Sequence, residues 1–315
     1  MLKERILLTL KFFDLQDYPV TLLELHKFLL ANIQILRTRI NTDWDLIDES
    51  AGDNQIADID EVVKCLDEEC QNEVQQKNGF YCLRGRVNII DRRLANYIYG
   101  IKRERRIRRF IGGLKYLPFV RGAALAGSQA MGQEKTDSDI DLLIIVDPKF
   151  LWFGRTVVTF YFQILGMRRH GKKIADRFCL NHYLAGVKKI NQLRNLYTAW
   201  EYAKLRPLIN QDAVEEFQEK NGQWIKMFFP NFELPPAPSL KKRGSAILSS
   251  DGQSSLQIKL ERMLNGKFGQ WLEIKLKNWQ LPKIRKEEFI LVLDDELSFH
   301  PQSKQRELLT RFFAG

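Results

Sequence analysis

Apolar residues recur at helical spacing from the first positions of the chain. Leu2, Ile6, Leu10 and Phe13 line one face, and the pattern stops at Asp14 to Tyr18 and Pro19. Thr21 and Glu24 stand in the capping-box arrangement at the head of TLLELHKFLL and predict a second helix. ADIDEVVKCLDEEC predicts a third. In QQKNGFYCLRGRVNII the pattern becomes that of two strands, with Asn78-Gly79 supplying the turn.

A long helix is predicted over 91–116, with Leu94, Tyr97, Ile98, Ile101, Phe110, Ile111 and Leu114 as its apolar stripe. ALAGSQA reads as a strand that turns into a helix, and DSDIDLLIIV as three acids opening a buried strand. FLWFGRTVVTFYFQILGM, 150–167, is an apolar helix carrying Arg155 and Gln163; its length is marginal for a membrane span, and a buried helix is the expectation. IADRFCLNHYLAG reads as a strand, and the stretch from 190 to 229 as helical. Residues 230–255 hold four prolines among small polar residues, the composition of a linker or long loop. LERMLNGKFGQWLEIKLKNWQL is again helical, and LSFHPQSKQRELLTRFFAG forms a tail.

The expected fold class is therefore α+β in three parts. Helices followed by a hairpin over 1–94 suggest a winged-helix-like domain, 95–189 a mixed sheet with helices, and 190–229 with 256–315 a helical region around the 230–255 loop.

Composition narrows the partners. The 315 residues carry a net charge of +10 with a pI near 9.3, which favours an anionic partner: nucleotide phosphate, nucleic acid or a membrane surface. A winged helix would invite DNA. However, Asp58, Asp60, Glu61, Asp67, Glu68 and Glu69 crowd the would-be recognition helix against Lys64 alone, and such a helix repels a duplex. Lys102, Arg103, Arg105, Arg106, Arg108 and Arg109 make one face of the long helix basic: a solvated surface, or a platform for phosphate or RNA. The four cysteines (Cys65, Cys70, Cys82, Cys179) form no CxxC or Cys/His cluster, as expected of reduced thiols in a cytoplasmic protein. The N-terminus is amphipathic rather than signal-like, and no transmembrane segment is expected.

The candidate chemistry lies in LAGSQAMGQEKTDSDIDLLIIV, 125–146. Asp139 and Asp141 are two apart on a strand, so both leave the same face, with Asp137 earlier in the loop. Two carboxylates together are costly unless a cation lies between them, and oxygen ligands suit Mg²⁺. Gly127 permits close backbone approach, and Ser128 offers a hydroxyl and an N–H to an anion. A calcium loop is excluded by Leu142 at its glycine position. The plain alternative is the polar start of a strand.

Gly127-Ser128 followed by Asp139-Ile140-Asp141-Leu142 resembles the signature of the polymerase-β-like nucleotidyltransferase superfamily. The chain is also similar to bacterial nucleotidyltransferase-like proteins with an N-terminal winged-helix-like region, in stretches such as FDLQDYPVT, RFCLNHYL and FHP. The resemblance implies Mg²⁺, two ions, on Asp139 and Asp141, with Gly127 and Ser128 on the phosphates. It implies transfer of a nucleoside monophosphate, AMP in the first instance, from NTP to an acceptor hydroxyl on a small molecule, protein or RNA. Active members add a third carboxylate from a neighbouring strand as base. Asp176 is the acid available, at the very start of its strand; Asn181 and His182 sit nearer the middle. Without that base, the same fold would serve as a nucleotide-sensing or protein-interaction module.

Overall fold

The computed structural model describes residues 2–32, 36, 56–133, 136–171, 173–191, 193–233, 254–284, 291–299 and 302–314. Helices α1 (Leu2–Asp14), α2 (Leu22–Lys27) and α3 (Ile59–Glu68) pack with strands β1 (Val20–Thr21), β2 (Val74–Lys77) and β3 (Phe80–Leu83). The strands form an antiparallel sheet in the order β1-β3-β2. Thr21 and Glu24 make the capping box reciprocally. Asn78 and Gly79 both take positive φ, 53° and 79°, as a tight hairpin turn demands. The second strand ends at Leu83, and the VNII that follows starts the next helix instead of extending it. All six acids of the α3 region face solvent.

Helix α4 (Asn88–Ile111) runs into a 3-10 turn, Gly112–Tyr116. Its buried face before Phe110 is not the expected one. Gly100, Arg103 and Ile107 are buried, while Leu94, Tyr97, Ile98 and Ile101 are exposed. Arginine stems pack like apolar side chains if the guanidinium is satisfied, and here carboxylates satisfy it: Glu24 for Arg93 and Asp176 for Arg103. Arg103 therefore leaves the basic surface that the sequence suggests.

The central sheet has the order β7-β4-β5-β6-β9-β8. It is built from β4 (Val120–Leu125), β5 (Ile140–Val146), β6 (Phe178–Ala185), β7 (Arg206–Ile209), β8 (Leu291–Val292) and β9 (Glu296–Ser298). Among these strands β5 and β6 pair in parallel and the other neighbours antiparallel. The short helix α5 (Gly127–Met131) follows β4, and α6 (Leu151–Ile164) makes the crossover from β5 to β6. The rest is helical: α7 (Leu196–Ala203), α8 (Gln211–Phe228), α9 (Ser255–Leu264), α10 (Lys267–Ile284) and α11 (Gln302–Ala314). Strands β7, β8 and β9 come from stretches expected to be helical or tail. Residues 234–253 of the expected linker, and His300, lie outside the described residues.

Alternation along β5 feeds two cores. Leu142, Ile144 and Val146 meet Trp152, Val158 and Phe162 of α6 on one face. There Gly154 lets α6 approach so closely that a Cβ would collide with Val146. Leu143 and Ile145 face α7, α8 and the N-terminal helices on the other. That second core is continuous across the N-terminal part. The Phe12 and Phe13 rings lie edge-on to Trp200, and Phe12 meets Phe312 of α11 at 5.6 Å. Among the described residues no helix is long and apolar enough to cross a membrane.

Candidate functional site

The site forms where β4 ends beside the start of β5. After β4 the chain is extended at Ala126, whose N–H donates to the Asp141 carbonyl at 3.0 Å. It then turns at Gly127 with φ +59°. A Cβ built on Gly127 would overlap Asp141 Oδ2, so glycine is required here both for its backbone and for the space above it. Ser128, half-buried, follows on α5. This helix is a single turn, so the Ser128 hydroxyl and N–H, rather than a helix dipole, are what it offers an anion.

Asp139 and Asp141 come together as their spacing predicts, while Asp137 is exposed in the loop. They have a third neighbour that the sequence did not single out. Cys179 pairs in register with Asp141 across the parallel β5–β6 ladder. Ligand atoms of Asp139, Asp141 and Cys179 all lie within 4.8 Å of one another. Asn181, two residues on, donates from Nδ2 to Asp141 Oδ1 at 2.8 Å. Burial first, then the charges of Asp141 and Asp139, push the Cys179 thiol well above its ordinary range. It is a protonated thiol at neutral pH.

Arg169, read from sequence as part of a basic turn, donates from one NH group to Asp139 Oδ2 at 2.5 Å and to Cys179 Sγ at 3.3 Å. Strand parity puts Cys179 and Asn181 on one face of β6, but only the pairing with β5 brings them to Asp141. Arg169 carried no such signal, because its partner is thirty residues away.

Asp176 lies elsewhere in the network and is not in the group that spans 4.8 Å. It takes positive φ, 57°, and accepts from Arg103 Nε at 2.7 Å, Arg106 at 3.3 Å and the Tyr99 hydroxyl at 3.2 Å. Arg103, 3% exposed, also donates to the Ser138 hydroxyl and carbonyl and to Gln129. The cluster ties α4 to the loop before β5 and to α5, and so braces the segment that leads into Asp139 and Asp141. His182 is buried against Glu296 at 3.1 Å, and its role is in the core. Trp200 and Trp224 are core residues as well, whereas Trp271 and Trp279 are exposed.

Two pockets flank the carboxylates and share no lining residue. The first, about 250 Å³, opens on Ser128 and Ser138 and is walled by Gln16, Asp17, Arg92 and Arg93 from the N-terminal part and α4. The second, about 480 Å³, includes Arg169 and Cys179.

The donor chemistry fits a divalent cation. Two carboxylates on one face supply hard oxygens, and the Gly127 turn fits over Asp141 with no side chain between. No protein-family model, curated protein or solved structure matches this chain, so its function is read from the chemistry of these residues.

Proposed function

We propose that the chain is a Mg²⁺-dependent nucleotidyltransferase of the polymerase-β-like kind, moving a nucleoside monophosphate, AMP in the first instance, from NTP to an acceptor hydroxyl. The observation that carries this reading is the close fit of the Gly127 turn over Asp141, with Asp139 beside it. Asp139 and Asp141 would hold the metal, and the Ser128 hydroxyl and N–H would hold phosphate oxygens. The metal, when bound, neutralises triphosphate charge and favours ionisation of the attacking hydroxyl. The acceptor oxygen bonds to the α-phosphorus as the bond to the β-phosphate oxygen breaks. Pyrophosphate leaves, and the acceptor proton passes to water.

Arg92 and Arg93, paired with Asp17 and Glu24, line the Ser128 pocket, and Gln16 and Asp17 close it from the N-terminal part. A winged-helix-like module in that position completes the nucleotide cleft. The exposed acids of α3 speak against its reading DNA. Four unpaired thiols go with a reducing, cytoplasmic setting.

A second reading has its own observation. Opposite Asp141, β6 offers Cys179 and Asn181 where an active transferase would carry a carboxylate, and Asp176 is held by Arg103, Arg106 and Tyr99. A nucleotide-sensing module without turnover accommodates that substitution. Calorimetry of the four NTPs with Mg²⁺, on wild type and on the Asp139→Asn/Asp141→Asn double variant, tests what both readings share. Metal-dependent binding that disappears in the folded variant is expected. Pyrophosphate release in the presence of acceptor then selects the transferase, and binding without release selects the sensor. No binding by folded wild type would sink both.

A further inference from the structure

The 480 Å³ cavity beside the carboxylates has a composition that the preceding reading leaves unused. Among the described residues its wall carries Arg155, Arg168, Arg169 and Lys283 and no acid. Four cations around one concavity repel each other unless an anion enters, and a cleft of one sign concentrates anions.

The four are not equivalent. Arg155 is engaged by the Gln280 side chain and lies 4.9 Å from the Phe299 ring. Arg169 is bound to Asp139. The Arg168 side chain, half-buried, makes no hydrogen bond or ion pair with a described residue, and among those residues Lys283 meets the Trp279 ring alone, at 3.9 Å. Among the described residues two cations thus lack a counter-charge, and a third is shared with the metal-binding pair.

The rest of the wall is aromatic. Phe160 is 64% exposed and Trp279 58% exposed, which is costly for such side chains unless a planar or apolar group covers them. The volume suits a small organic molecule. Guanidinium groups and a lysine around one cavity match a doubly charged phosphate better than a single carboxylate.

We propose that this cavity seats the acceptor, and that the acceptor is a hydroxyl-bearing organic phosphate with a ring-sized apolar portion, whose arrival draws Arg169 away from Asp139. The word acceptor rests on the transferase reading; the phosphate site does not. The coupling follows from Arg169 alone. While it pairs with Asp139 it competes with the metal for that carboxylate, and an anion in the cavity relieves the competition. Cation and organic phosphate therefore raise each other's affinity by the same factor.

Phenyl phosphate is the probe, with inorganic phosphate as its ring-free control, titrated calorimetrically into the full chain. Mn²⁺ affinity is read by electron paramagnetic resonance with and without saturating phenyl phosphate. Expected are tighter binding of phenyl phosphate than of inorganic phosphate and a Mn²⁺ affinity raised roughly fivefold or more. Arg168→Gln should weaken phenyl phosphate at least about tenfold while Mg²⁺·NTP binding persists, and Trp279→Ala should remove the preference for the ring. Phenyl phosphate that fails to bind, or binds Arg168→Gln as well as wild type, overturns the site. Competition between phenyl phosphate and NTP overturns the acceptor role, because the nucleotide would then occupy this cavity. Phenyl phosphate binding without any NTP binding sinks the transferase reading, and the acceptor role with it, while the anion site stands.

Discussion

The Asp141 carboxylate fills the space that any side chain at Gly127 would need. Gly127→Ala is therefore expected to remove Mg²⁺·NTP binding while the chain still folds. The positive φ alone costs about 1–2 kcal/mol. Denaturant melts paired with NTP calorimetry check both parts; an alanine variant that binds normally would separate the glycine turn from the site.

The donor set Asp139, Asp141 and Cys179 mixes hard and soft ligands. Mg²⁺ takes the carboxylates and leaves the thiol protonated, whereas Cd²⁺ recruits it as thiolate. An ultraviolet thiolate-to-Cd²⁺ band should appear in wild type and vanish in Cys179→Ser, with Mg²⁺·NTP binding retained. Cys179→Asp should bind Mg²⁺ about tenfold more tightly. No band in wild type would place Cys179 outside the metal's reach.

Asp176 and Arg103 should differ in what their removal costs. Arg103→Met abandons Asp176, Ser138 and Gln129 together and is expected to cost about 3 kcal/mol. Asp176→Asn keeps an acceptor for Arg103 and should cost about 1 kcal/mol, with Mg²⁺·NTP affinity and turnover preserved. Selective loss of turnover in Asp176→Asn, at unchanged stability, would restore it as the base.

Glu24 gives the fold an acid dependence. Burial by itself would raise its carboxyl, but the Arg93 hydrogen bonds and the charges of Lys204 and Arg93 outweigh burial and hold it well below the usual range. A carboxyl lowered in the folded state stabilises above its unfolded value, near 4.3, and loses that contribution as pH falls toward the folded value. Glu24→Gln should cost about 3 kcal/mol at pH 7, with the gap to wild type narrowing below about pH 4. A gap that stays constant in acid would contradict the ion-pair account.

Much of the site could be read from local pattern. Two acids at strand spacing and a Gly-Ser turn after a strand need only period two and φ > 0 to be placed. The third position needed more, because Cys179 meets Asp141 through pairing between strands almost forty residues apart. That register also shifts, with Leu143 meeting His182 rather than the residue two beyond Cys179. Arg169 and Arg103 read as surface charge for the same reason: their carboxylate partners are distant in sequence. Strands β7, β8 and β9 are two to four residues long, too short for alternation to stand out.

The aromatic seam where Phe12 meets Phe312 has a consequence for biogenesis. Helix α1 is made before α7 and α11, so its apolar face waits for Trp200 and Phe12 waits longer still for Phe312. Most of the N-terminal core is thus built from long-range contacts, which close slowly. The nascent chain carries Phe12 and Phe13 without these partner rings until α7 and α11 emerge, so this is the segment a chaperone would hold.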